Sequence, residues 1–170
     1  MLKIIACMDK DGCIGNNGTI PWMGELSSDM KHFRELTTGG IVIMGRKTFE
    51  SLPGPLKKRT NIIVSNKSDL LIDDCAVAHS IKAAISYAER VSVVESKDNI
   101  WIGGGAEIYK QTLGLADELH LTVIDLTFPG DTYFPEWKTD DWNQIEVKNF
   151  APDAKNLYPY RFEVWKRKNK

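Results

Sequence analysis

The chain has 170 residues, 42% of them hydrophobic and 26% charged, a size and balance that fit one soluble globular domain spanning 1–170. Its 22 basic residues nearly cancel its 23 acidic ones, leaving a net charge of −1 and no electrostatic case for nucleic acid or an anionic membrane as partner. Three cysteines without a CxxC spacing indicate neither a disulfide scaffold nor a zinc site, and no apolar stretch is long enough for a signal-peptide core or a bilayer span, so reduced thiols in a cytoplasmic protein are expected.

Strand-length apolar runs occur at Leu2–Met8, Ile41–Met44, Asn61–Val64, Ala76–Ala78, Ile100–Ile102 and Leu119–Ile124. Being apolar almost throughout, they read as parallel strands covered on both faces. Ile145–Phe150 and Arg161–Trp165 alternate apolar and polar residues, the pattern of antiparallel strands with one wetter face. Helices are predicted between the early strands. Ser27-Ser28 caps one running to about Thr37 and stopped by Gly39-Gly40; Lys47–Leu52 forms a short one; Ser80 caps Ile81–Arg90; Ala106–Leu113 is the fourth. Strands alternating with helices, then strands alone, give an α/β domain with a mixed sheet of about eight mostly parallel strands, about four flanking helices and antiparallel C-terminal strands. The basic tail, Lys166-Arg167-Lys168 with Lys170, reads as a solvated chain end.

Four segments carry chemical interest. On the first helix Asp29 shares its face with Phe33 and Leu36, at i+4 and i+7, with Met30 beside it. Such a carboxylate is either buried and in need of hydrogen-bond donors or placed to complement the helix dipole, and the helix alone does not choose. If it is buried, a planar ring offering two adjacent N–H donors, an amino-pyrimidine or a pterin, is its natural partner. Next, two apolar runs end in glycine before a helix: Gly45-Arg46-Lys47-Thr48 and Gly103-Gly104-Gly105-Ala106. Backbone N–H groups at such junctions can receive the two phosphates of a dinucleotide, although glycine there also simply permits tight turns. Ser65-Asn66-Lys67 together with Arg46 suits an extra phosphate on the adenosine ribose, favouring NADPH over NADH; the alternative is a solvated loop. Finally, Gly15-Asn16-Asn17-Gly18-Thr19-Ile20-Pro21-Trp22 reads as an irregular loop able to close over a ligand, with Trp22 either at the site or a core aromatic.

The ordered set of segments resembles the dihydrofolate reductase family over nearly the whole chain. It comprises Ile14-Gly15 through Pro21-Trp22, Asp29 with Phe33, Val42 to Thr48, Arg59-Thr60-Asn61, Ile102-Gly103-Gly104 with Tyr109, and Gly130-Asp131-Thr132-Tyr133-Phe134-Pro135. The resemblance implies NADPH-dependent reduction of dihydrofolate to tetrahydrofolate, feeding one-carbon metabolism and thymidylate, purine and amino-acid synthesis, with antifolate inhibitors as further ligands. A monomer is expected because one compact domain is sufficient and no coiled coil or sticky edge is evident in the sequence. It implies that Asp29 grips the pterin, that Thr132 hydrogen-bonds the Asp29 carboxylate and that Trp22 holds a water near it. Ile5, Cys7, Met30, Phe33, Leu52, Ile102 and Tyr109 would line the substrate pocket, and Arg59 would pair with the glutamate tail. Gly45, Arg46, Lys47 and Thr48 would cradle phosphates with Gly103, Gly104, Gly105 and Ala106. Ile14, Gly15, Asn16, Gly18, Thr19 and Ile20 would cover the nicotinamide. The chain departs from the family pattern in a longer Met23-Gly24-Glu25 segment, in Leu56-Lys57-Lys58 before Arg59, and in the residues following its glycine triplet. A reductase acting on a riboflavin-pathway amino-pyrimidine, or a non-catalytic nucleotide-binding module, are the rival readings.

Overall fold

The computed structural model describes residues 1–168. In chain order the elements are β1 (Leu2–Asp9), β2 (Cys13–Gly15), α1 (Ser27–Thr37), β3 (Ile41–Gly45), α2 (Arg46–Glu50), β4 (Thr60–Val64), β5 (Cys75–Ala78), α3 (Ile81–Glu95), β6 (Ile100–Ile102), α4 (Ala106–Thr112), β7 (Glu118–Ile124), β8 (Thr132–Tyr133), a 3₁₀ turn at Thr139–Asp141, β9 (Trp142–Phe150) and β10 (Tyr160–Arg167). Eight strands form one sheet in the order β5-β4-β3-β6-β1-β7-β10-β9. The first six of these run parallel, while β10 pairs antiparallel with both β7 and β9.

The near-continuous apolar character of β1, β3, β4, β6 and β7 follows from helices on both faces. On one face Ile4, Ile41, Ile43, Ile62 and Ile102 pack against Ile81, Ala84 and Ala88 of α3 and Ile108 and Tyr109 of α4. On the other, Ile5, Val42, Met44, Ile63 and Trp101 pack against Phe33 and Leu36 of α1, Phe49 of α2 and the following Leu52 and Leu56. Ile41, Ile43, Ile62 and Ile102 have no exposed surface, and burying each contributes about 1.5–3 kcal/mol.

Several elements differ from their expected form. Ser80 does cap α3, accepting from the Ala83 N–H at 3.1 Å, but the helix continues to Glu95. Ser27 and Ser28 are the first residues of α1 rather than residues before it, and Leu26, at the cap position, offers no side-chain cap. The Ser28 N–H instead donates to Oδ1 of the buried Asn156 at 2.8 Å, and the Ser27 N–H to the Lys155 carbonyl. The alternation of β9 does not produce a buried face: beyond Trp142 every residue is exposed, because β9 is the sheet edge. The chain end is not simply solvated either, since Arg167 donates from Nε to the Ala116 carbonyl and lies 4.1 Å from the Trp142 ring centroid. Lys170 lies outside the described residues. The cysteines are unpaired, and no described helix is long and apolar enough to cross a membrane.

Candidate functional site

The segment predicted as an irregular loop after β1 is a tight hairpin. Asn16 and Thr19 exchange backbone hydrogen bonds at 2.8 and 3.0 Å, with Asn17 and Gly18 at φ of 50° and 77°. Two consecutive positive φ values are the geometry that an Asn-Gly pair supplies at least cost. Its tip is tied to the segment before β8: Asn17 N–H donates to Asp131 Oδ2 at 2.9 Å, and Asp131 N–H to the Gly15 carbonyl at 3.1 Å. From the hairpin the chain passes through Ile20, half-buried, to Trp22, which is buried with Leu26, Ile124 and Tyr160.

Asp29 lies in the first turn of α1, which crosses the sheet face carrying Cys7 and Thr122. Those two residues stand side by side in the parallel β1–β7 register, so their side chains emerge together. Burial pushes the Asp29 carboxyl above the usual carboxylate range, while the Thr122 hydroxyl and the Cys7 thiol, the groups that face it, favour its charged form. Burial and the adjacent Asp29 charge push the Cys7 thiol well up, and the Trp22 side chain opposes this. Asp29, Cys7, Trp22 and Thr122 are therefore one polar cluster inside an apolar wall.

Two residues expected at the site, Thr132 at the carboxylate and Ile102 on the pocket wall, lie elsewhere. Thr132 does not reach Asp29; its hydroxyl donates to the neighbouring Asp131 at 2.7 Å. The threonine at the carboxylate is Thr122, on β7. Ile102 is turned the other way. Alternation along β6 sends Ile100 and Ile102 to the α3–α4 face and Trp101 to the α1 face. An added Cβ at Gly103 would meet the Val42 side chain at 3.3 Å, placing that position on the α1 face with Val42.

A cavity of about 340 Å³ runs along α1 and is lined by Met30, Phe33, Leu52 and Arg59 of the expected substrate residues, with Leu26 and Leu56. Asp29, Ile5 and Cys7 are not on its wall. Ile5 is nonetheless part of the cluster that Phe33 and Leu52 pack against. Arg59 Nη1 donates to the Thr37 hydroxyl at 3.0 Å and Nε to the Lys57 carbonyl. Partial burial and the nearby Arg34 charge lower its pKa. Tyr109 reaches from α4 to donate to the Ile5 carbonyl at 2.8 Å, and burial raises its phenol pKa well above the usual range.

The two glycine junctions come together because β3 and β6 are neighbours. Gly45 N–H donates to the Gly104 carbonyl at 2.7 Å and Gly103 N–H to the Ile43 carbonyl at 2.9 Å, so these two donors are used internally. A Cβ at Gly105 would lie 3.2 Å from Thr48 Oγ1. Gly104, at φ +98°, is the one glycine here whose missing side chain is indispensable, since a Cβ would meet the Tyr109 ring at 2.9 Å. At the flank, Arg46 forms an i,i+4 ion pair with Glu50 at 2.6 Å, Lys47 is exposed, and Ser65 accepts from the Lys67 N–H through its hydroxyl.

The family model for dihydrofolate reductase matches residues 1–167. The chain belongs to the dihydrofolate reductase family. It is 35% identical over 166 residues to the dihydrofolate reductase of Staphylococcus haemolyticus, covering 98% of this chain and 95% of that one. It is 34% identical over 169 residues to that of Bacillus subtilis strain 168, covering 99% and 96%. Among solved structures, Enterococcus faecalis dihydrofolate reductase complexed with NADP(H) and RAB-propyl superposes with a TM-score of 0.90 at 34% identity, over 99% of this chain and 97% of that one. The carboxylate on α1 and the paired glycine junctions now have a family setting. Thr122 was missed from sequence because nothing local marks it; the β1–β7 register, had it been known, would have found it opposite Cys7.

Proposed function

We propose that the cavity along α1, together with the Asp29 cluster beside it, is where this chain reduces dihydrofolate to tetrahydrofolate, with Asp29 as the group that holds the pterin. The observation that carries the reading is a carboxylate on an apolar helix face whose immediate partners are a hydroxyl and a thiol rather than a cation. Two donors of an amino-pyrimidine edge would complete it with charge-assisted hydrogen bonds. Met30, Phe33 and Leu52 would flank the ring system, and Arg59, also on the cavity wall, would pair with the carboxylate of the glutamate tail.

The residues around the β3 and β6 ends fit a dinucleotide. The adjoining starts of α2 and α4 bring backbone donors together, and the glycines keep side chains out of the space between them. Arg46, with Ser65, Asn66 and Lys67, would meet the extra ribose phosphate. The Ile14–Ile20 hairpin would lie over the nicotinamide and exclude water. When bound, NADPH supplies the hydride that C6 of the dihydropterin receives. Asp29 fixes the ring for that transfer, and its charge favours the protonation of N5, the proton arriving through water. Trp22, beside Cys7 and Asp29, would hold such a water. The chain acts, in this reading, as a cytoplasmic single-domain monomer.

NADPH consumption with dihydrofolate, compared between wild type and Asp29→Asn across pH, tests the assignment. Turnover that collapses in the variant, least at low pH where the substrate is already protonated, is the expected result. Unchanged turnover in Asp29→Asn removes Asp29 from the site.

A further inference from the structure

Asp9, the last residue of β1, has no exposed surface and, among the described residues, no ion-pair partner. The site described above makes no use of it. Its charge is met by three backbone donors: Oδ1 accepts from the N–H groups of Asp11 and Cys13 at 2.9 and 2.8 Å, and Oδ2 from that of Phe128 at 2.9 Å. A buried carboxylate is tolerated when its oxygens are saturated in this way. The three donors are not arbitrary. Cys13 opens β2 and leads directly into the hairpin. Phe128 lies in the connection from β7 to Asp131, and its ring packs on Trp22 at a centroid distance of 5.3 Å. Lys10 N–H to the Leu126 carbonyl and the Thr127 hydroxyl to Asp11 Oδ2 add rungs between the same two segments.

We propose that Asp9 is a positioning residue for the hairpin, its two oxygens holding the hairpin's entry at Cys13 and, through the Phe128 ring, its exit at Trp22. The hairpin tip is fastened to Asp131, so Asp9 and Asp131 secure the root and the tip of one flap. Only a carboxylate can do this, because acceptors are needed in two directions. An asparagine would satisfy one side and turn an amide N–H toward a backbone N–H on the other. The consequence for function rests on the proposed placement of the nicotinamide beneath this hairpin: Asp9 sets the affinity for that half of the cofactor without touching it.

The test is calorimetric binding of two probes to the full-length protein. NADPH carries the nicotinamide; adenosine 2′,5′-bisphosphate carries only the adenosine end. In Asp9→Asn, NADPH binding is expected to weaken about tenfold, the cost of leaving a buried N–H badly paired, while bisphosphate binding stays within about twofold. Phe128→Leu, which keeps the backbone bond and removes the ring contact with Trp22, is expected to lose NADPH affinity selectively to a smaller degree. It carries the test if Asp9→Asn does not fold. Equal loss for both probes, or no loss for either, overturns the role of Asp9. Wild type that binds NADPH no more tightly than the bisphosphate overturns the placement of the nicotinamide itself, and the inference falls with it.

Discussion

The start of α1 depends on a residue far along the chain, and Asn156→Ala tests that dependence. Asn156 Oδ1 receives the Ser28 N–H at 2.8 Å across 128 residues of sequence, one position before Asp29. The side chain is buried, so water does not readily replace it after truncation. Losing a cap of this kind costs about 1–2 kcal/mol. For a chain of this size each kcal/mol moves the melting temperature by about 2–4 °C, so a fall of roughly 2–8 °C is expected in a thermal scan. Ser27→Ala and Ser28→Ala remove hydroxyls that cap nothing and should stay within about 0.5 kcal/mol of wild type. A loosened first turn also carries Asp29 with it, so KM for dihydrofolate should rise in Asn156→Ala more than kcat falls. A melting temperature within about 1 °C of wild type, or serine variants as costly as Asn156→Ala, would refute the cross-chain cap.

Other consequences are checked as directly. Because burial raises the folded-state pKa of Asp29, the folded protein binds this proton more tightly than the unfolded chain, and stability falls as pH rises from the ordinary carboxylate range through the raised value. Asp29→Asn should therefore gain thermal stability over wild type at pH 8 and lose that advantage at pH 4; a pH-independent difference contradicts the burial of the charge. Gly104→Ala places a methyl 2.9 Å from the Tyr109 ring at a φ of +98°, and a loss of about 1–3 kcal/mol is expected from urea unfolding; a wild-type midpoint would show that the junction is looser. Glu50→Gln frees Arg46 from its ion pair, and since exposed i,i+4 pairs are worth about 0.3–0.5 kcal/mol, KM for NADPH should fall about twofold with KM for NADH unchanged. Equal change for both cofactors would separate Arg46 from the extra phosphate.

The parallel strands were readable because burial on both faces leaves an unbroken apolar run, and the Ser80 cap was readable because donor and acceptor lie three residues apart. The same logic explains the misses. In Ile100-Trp101-Ile102 both faces are apolar, so the run does not say which residue faces α1; Ile102, which the family resemblance implies at the substrate pocket, packs with the α3–α4 cluster instead. Thr122 and Thr132 are equally plausible partners for Asp29 by type; only the β1–β7 register separates them. Asn156 as the cap of α1 has no local signature at all, because the contact spans most of the chain. The Asn17-Gly18 pair, by contrast, was a legible turn signal that the surrounding polar residues disguised as irregular loop.

Asp9, fully buried, and the half-buried Asp29 show what distinguishes a structural carboxylate from one poised for a ligand. Asp9 is well supplied: three backbone N–H groups converge on its two oxygens. Asp29 is buried enough to have its carboxyl pushed upward, yet its protein partners are a single hydroxyl and a weakly donating thiol. Having few donors at a carboxylate is a cost to the fold, and natural folds keep such costs where binding removes them. A ring presenting two N–H donors would repair it, and Asp9 already shows the result when donors are plentiful. The carboxylate with only two weak protein donors, rather than the apolar cavity beside it, is therefore what makes the proposed site selective for an amino-pyrimidine edge: a ligand of the same shape without those donors would add nothing to its hydrogen bonding.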